Sequence, residues 1–136
     1  MVRSIVNRFG SHIRDFLISL FPLQFRSKSI NDISISNRSE LRLYEQVFVE
    51  EVFAVREISS LIEKDCPVIF DLGANCGFFS FHALDFFPKA KIHSFEPQSS
   101  LVGKLQRTLD RNNLNSAITI NQCAVGKGSG EMEFFE

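Results

Sequence analysis

Along residues 1–25, Ile5, Val6, Phe9, Ile13, Phe16, Leu17, Leu20 and Phe21 recur at helical spacing, with Arg3, Arg8, His12 and Arg14 mostly between them. This predicts one amphipathic helix, ended or kinked at Pro22. Residues 27–39 interleave Ser, Asn, Lys and Asp with Ile30, Ile33 and Ile35, and read as a linker or a weak, exposed strand. They set a boundary between an N-terminal extension, residues 1–38, and a domain over residues 39–136. Between residues 40 and 64, Tyr44, Val47, Phe48, Phe53, Val55, Ile58, Leu61 and Ile62 fit one long helix or two short ones with acidic residues on the other face. Val68–Leu72 is a short apolar run rich in β-formers, which suits a strand buried on both faces. Residues 78–87 are apolar on nearly every side and stop before Pro88, as a crossover helix packed on a sheet does.

A second strand follows at residues 92–95. Leu101, Val102, Leu105 and Leu109 then mark a second crossover helix over residues 98–111, capped by Ser99 or Ser100. Asn112, Asn113 and Asn115 turn the chain into a third strand at residues 117–124. Gly126, Gly128 and Gly130 make a loop, and residues 131–135 begin another strand. Strands alternating with helices define an α/β fold around a parallel sheet.

Composition alters this picture little. The chain has 136 residues, enough for one short α/β domain, with 44% hydrophobic and 23% charged residues, as in ordinary soluble proteins. Its fifteen phenylalanines, with no tryptophan, read as aromatic core packing. Charge matters more. Residues 1–39 carry six Lys or Arg against Asp15 and Asp32, a balance of +4, whereas the remainder carries nine against fourteen, a balance of −5. The acidic part that bears the chemistry argues against a nucleic-acid substrate, because phosphate contacts need clustered Lys and Arg, and favours a small molecule. No apolar run approaches the ~20 residues needed to span a bilayer, and no signal-type apolar core ends in small residues. Residues 3–21 therefore read as a helix covering part of the domain, with a membrane-surface or partner-docking helix as alternatives. Cys66, Cys76 and Cys123 match neither a zinc site nor a redox pair, and read as reduced thiols in a cytoplasmic protein.

The chemistry concentrates after the first strand. Gly73 and Gly77 follow it at once, where glycine permits positive φ and close approach of a bound group, and the helix opening near Gly77 presents unpaired N–H groups. Right-handed crossovers bring the ends of neighbouring parallel strands to one edge, so Glu96 is expected beside the glycine turn, where a carboxylate can accept both hydroxyls of a ribose. The dinucleotide fingerprint has three glycines that make room for a pyrophosphate. Here Asp71-Leu72-Gly73-Ala74-Asn75-Cys76-Gly77 has two, with an acidic residue on the strand that repels phosphate. A nucleoside cofactor without pyrophosphate fits better, which ranks a nicotinamide oxidoreductase third. Cys76, at a helix start, is placed where a thiol pKa falls, but no base partner is identified for it. His82 and His93 lie away from the strand ends and read as packing or surface residues.

The run Asp71 to Gly77 resembles motif I of class I S-adenosylmethionine-dependent methyltransferases, and Phe95-Glu96-Pro97 resembles their ribose-binding motif as it occurs in the FkbM family. The resemblance extends upstream through Tyr44-Glu45-Gln46-Val47-Phe48-Val49-Glu50-Glu51 and downstream through Ala124-Val125-Gly126. It implies a Rossmann-like class I methyltransferase fold and S-adenosylmethionine as cofactor. It also implies a binding set of Asp71, Gly73, Ala74, Asn75, Gly77, Phe78, Glu96, Pro97 and Ala124, with the loop near residues 122–124 meeting the adenine through backbone. Tyr44 and Glu45 are weighed as residues closing the pocket, against a plain solvated helix face for Glu45. The implied reaction is O-methylation of a small molecule or a sugar hydroxyl. No catalytic base and no metal ligand is assigned.

The resemblance also implies an incomplete sheet, with strands one to three and the start of a further strand. The family's fourth-strand segment, typically Lys-x-Asp-x-Glu-Gly, has no counterpart before Glu136. The expectation is a truncated chain with an open edge along Val68–Leu72, prone to self-association. The alternative function is a non-catalytic α/β module that needs a partner chain to complete it.

Overall fold

In the computed structural model the described residues are 11–128 and 130–131. Their order is α1 (Ser11–Leu20), β1 (Leu23–Phe25), β2 (Ile33–Ile35), α2 (Arg38–Tyr44), a π-helical turn (Glu45–Val49), α3 (Val55–Ser59), β3 (Val68–Leu72), α4 (Phe78–Phe86), β4 (Lys91–Phe95), α5 (Ser99–Asn112) and β5 (Ile118–Asn121). The fold is α/β and Rossmann-like, with a parallel sheet in the order β3-β4-β5. Val68 pairs with Lys91 and Leu72 with Phe95, and Ile92 pairs with Ile118.

Each connection in this sheet is a crossover helix, and two right-handed crossovers in the same direction lay α4 and α5 on one face. Burial follows that geometry. Phe78, Phe81, Leu84, Ile92, Leu105, Leu109 and Ile118 form the core between sheet and helices. On the opposite face Val68, Phe70 and Leu72 are 59%, 62% and 61% exposed. The expectation of a strand buried on both faces is corrected here: among the described residues only one face of β3 is covered. Phe70 stacks instead on its sheet neighbours, 5.5 Å from His93 and 6.1 Å from Phe95 between ring centroids. The outer edge of β3 has no strand partner among the described residues.

The polar stretch after Pro22 is not an exposed linker. β1 and β2 form an antiparallel hairpin whose Ile33 and Ile35 are fully buried in the same core. Its backbone is pinned to both helices. Asp85 Oδ1 accepts from Ser29 N at 2.6 Å and Ser27 Oγ at 2.9 Å. Asn112 Oδ1 accepts from Asn31 N and Asp32 N, while its Nδ2 donates to the carbonyl of Asp32. Isoleucine at alternate positions, read as weak, is the buried side of a two-stranded ribbon.

The helix expected over residues 1–25 is present as α1, which stops before Pro22; the part within residues 1–10 lies outside the described residues, as does most of the strand expected at 131–135. Residues 40–64 divide into two helices, because the π-helical turn interrupts the first and Glu51 and Ala54 adopt left-handed φ of 49° and 48°. The third strand is shorter than expected and ends at Asn121. No helix among the described residues is long and apolar enough to cross a membrane.

Candidate functional site

The turn between β3 and α4 is stapled to the end of β4. Gly73 N–H and Ala74 N–H both donate to the carbonyl of Phe95 at 2.9 Å. Asn75 N–H donates to Glu96 Oε2 at 2.8 Å, with Asn75 at a φ of 51°, and its own Oδ1 accepts from Cys76 N–H. Glu96 Oε1 accepts from Gln98 N–H at 3.0 Å. That bond explains why α5 needs no cap from Ser99 or Ser100: no side-chain cap bond forms at its start, and Glu96 takes the orphan donor. One buried carboxylate thus holds the glycine turn and the entry to α5.

The two glycines serve different ends. Gly77 has a φ of 89°, and a Cβ there would overlap Leu105 Cδ1 and lie 3.0 Å from Phe81 Cζ, so α4 and α5 close on each other over a bare backbone. Gly73 has a φ of 78°, and a Cβ there would meet nothing within 4 Å. Its backbone faces a cleft of about 320 Å³ lined by Asp71, Gly73, Ala74, Asn75 and Phe78, with Leu43, Val47, Phe53 and Phe79 opposite or beside them.

Asp71 is buried and points toward the helices, where Ser80 Oγ donates to its Oδ2 at 2.6 Å and lies 2.8 Å from Ser94 Oγ. Burial raises its carboxyl above the ordinary range, the Ser80 bonds oppose that shift, and the Glu96 charge adds to it. Ser80 and Ser94 are parts of the site that sequence reasoning missed. Their signal was available, as single small hydroxyls set within an apolar helix and a short strand.

Of the residues singled out in the sequence, Asp71, Gly73, Ala74, Asn75 and Phe78 line the cleft; Gly77 and Glu96 do not, Gly77 packing against α5 and Glu96 holding the turn through Asn75 N–H. Pro97 follows Glu96 and is half-buried, and Ala124 is exposed beyond β5; neither lines the cleft. Tyr44 and Glu45 do not line it either. Tyr44 packs its ring against Phe25, Phe48 and Phe78, and Glu45 lies 3.8 Å from Arg42. The upstream segment reaches the cleft through Leu43, Val47 and Phe53 instead. Beneath it, the buried Glu40 carboxylate pairs with Lys104 and accepts from Ser36 N–H, tying α2 to α5.

Cys76 does not become an activated thiol. It is 2% exposed, and burial, with the Glu40 charge adding, pushes its pKa up to about 12. Cys66 and Cys123 are exposed and free. In native protein at mildly alkaline pH, alkylation followed by peptide mass spectrometry is expected to label Cys66 and Cys123 fully and Cys76 only after denaturation. Native labelling of Cys76 at the rate of the other two would contradict its burial.

Among the described residues no group of three His, Cys, Asp or Glu side chains is placed to hold a metal ion. No family model matches the chain. By sequence it is 30% identical over 111 residues to methyltransferase sdnD of Sordaria araneosa, a match covering 82% of this chain and 41% of that protein. It is 33% identical over 69 residues to the AMB antimetabolite synthetase AmbE of Pseudomonas aeruginosa, covering 51% of this chain and 3% of that protein. The chain therefore spans about two fifths of the first relative and a small part of the second. Among solved structures, precorrin-6y C5,15-methyltransferase of Geobacter metallireducens superposes on 56% of this chain and 40% of its own, at a TM-score of 0.44 and 18% identity.

Proposed function

We propose that residues 39–136 carry the cofactor half of an S-adenosylmethionine-dependent methyltransferase of FkbM type, braced by the β1–β2 hairpin of the N-terminal extension. The observation that carries this reading is the glycine turn stapled to Glu96 beside an open cleft: at Gly73 no atom lies within 4 Å of where a Cβ would sit, so a ligand can approach the backbone there, while Asp71 makes the strand end unsuited to a pyrophosphate. Similarity to methyltransferase sdnD over most of the chain supports it.

The residues fit the cofactor. Each oxygen of Glu96 accepts one backbone N–H, and an ionised carboxylate has about four lone-pair sites, so capacity remains for two ribose hydroxyls. Asp71, Gly73, Ala74, Asn75, Gly77 and Phe78 would cradle the amino-acid and ribose portions, with Pro97 and Ala124 toward the adenine. When bound, S-adenosylmethionine supplies a methyl group on a cationic sulfonium. The chain's own part is to fix the donor and exclude water: Leu43, Val47, Phe53 and Phe79 give the cleft an apolar wall, and the buried Glu96 keeps the turn rigid. The acceptor is a small-molecule or sugar hydroxyl, in a cytoplasmic setting that keeps the three cysteines reduced.

A second reading, a module that requires a partner chain and binds no cofactor alone, is favoured by the uncovered face of Val68, Phe70 and Leu72. Calorimetric titration of the chain with S-adenosylhomocysteine, after light scattering has established its association state, separates the two. Saturable binding that NAD does not displace is the expected result. A folded sample without binding would favour the partner-dependent module, and displacement by NAD would favour a dinucleotide site.

A further inference from the structure

The apolar stripe of α1 faces solvent. At about 100° of turn per residue, Phe16, Leu17, Leu20 and Phe21 fall on one side of the helix, within about 140° of one another, and Ile18 falls on the opposite side. The backbone keeps Phe21 in helical register, its N–H donating to the carbonyl of Leu17 at 2.9 Å. A surface helix of a folded domain ordinarily buries its stripe and exposes the other side. Here the pattern is reversed: Phe16, Leu20 and Phe21 are 62%, 54% and 70% exposed and Leu17 is 37% exposed, whereas Ile18 is 4% exposed. The sequence continues the same stripe upstream through Ile5, Val6, Phe9 and Ile13. Large apolar side chains gathered on one solvent-facing stripe mark contact with something apolar outside the domain.

Charge indicates what that something is. Residues 1–21 carry Arg3, Arg8 and Arg14 against Asp15 alone, and residues 1–39 carry six Lys or Arg against two Asp, a balance of +4, in a protein whose remaining residues sum to −5. After the stripe, Arg26, Lys28 and Arg38 are exposed and have no ion-pair partner among the described residues. A Phe- and Leu-bearing helix face set in a basic segment matches a membrane interface, whose acyl boundary takes the apolar side chains and whose anionic headgroups take the cations. A second copy of the chain fits less well, because a two-fold pairing through the stripe sets two segments of +4 against each other. We propose that α1 docks the protein on an anionic lipid surface, with Phe16, Leu17, Leu20 and Phe21 entering the boundary between headgroups and acyl chains. The docking is peripheral and reversible, since no helix among the described residues is long and apolar enough to cross a membrane. It is independent of the cofactor reading, since it stands on the N-terminal extension and not on the cleft.

The test is sedimentation of the full chain with vesicles of phosphatidylcholine carrying about one third phosphatidylserine, and with vesicles of phosphatidylcholine alone, at low and at physiological salt. The expected result is binding to the anionic vesicles that weakens as salt rises and falls about tenfold or more in the Phe16→Ser/Phe21→Ser variant. Both substituted side chains are exposed, so the variant keeps its fold, which circular dichroism checks. Leu61→Ser, which removes an 81% exposed leucine outside α1, is expected to bind as the parent chain does. Light scattering of the same proteins without vesicles reads self-association. Absence of binding to anionic vesicles, equal binding to neutral ones, or an equal loss in the Leu61→Ser variant would overturn the proposal. So would a parent oligomer that the α1 variant dissolves while its vesicle binding is unchanged, an outcome that assigns the stripe to a second copy of the chain.

Discussion

Gly77→Ala is expected to lower the unfolding free energy by about 2–5 kcal/mol. Two effects add. A non-glycine residue held at a φ of 89° costs roughly 1–2 kcal/mol. The new methyl also collides with Leu105 Cδ1, and forcing an extra group into a packed core costs typically about 1–3 kcal/mol. Leu105 and Phe81 are both fully buried, so neither has space into which to retreat. Gly73→Ala is the control: its φ is similar, but its Cβ meets nothing, so only the conformational part, about 1–2 kcal/mol, is expected. Urea unfolding followed by circular dichroism measures both. Equal losses in the two variants would show that Leu105 yields without cost and that the helix contact does not select glycine.

Glu96→Ala is expected to weaken S-adenosylhomocysteine binding by roughly 10- to 150-fold, the equivalent of about 1.5–3 kcal/mol for a charged hydrogen-bond partner. The residue acts on the ligand and on the turn at once, since Asn75 N–H and Gln98 N–H lose their acceptor with it. Glu96→Gln separates the contributions. It retains one acceptor oxygen and gives up the charge, so it should keep much of the fold's stability while losing affinity. Calorimetric titration of the three proteins provides the comparison. Unchanged affinity in a folded Glu96→Ala protein would remove Glu96 from the ribose and leave it a purely architectural role.

How much of this was legible in the chain depends on the range of the interaction. β3, α4, β4 and α5 follow from local apolar runs and from Pro88, and the meeting of the glycine turn with Glu96 at one sheet edge follows from the right-handed parallel crossover. The hairpin was not legible as buried, because Ser34 and the neighbouring Asn and Asp side chains disguise the alternation of Ile33 and Ile35, and its partners Asp85 and Asn112 are more than fifty residues away. The buried pair Glu40–Lys104 was hidden for the same reason. Position at a helix start suggested an acidic Cys76 thiol, but burial outweighs the helix terminus there. His82 was placed correctly inside a helix, and only the three-dimensional surroundings reveal that its ring lacks partners.

The hairpin also sets an order of events. Its anchors on α4 and α5 lie 55 to 81 residues further along the chain, so the ribbon's docking surface is complete only once α5 exists. During synthesis the early hairpin must wait, undocked from the helices, while most of the described chain emerges, and closure of contacts over such distances is slow. Its docking is thus expected to be a late step, so that loosening it, as in Asn112→Ala, should speed unfolding more than it slows folding.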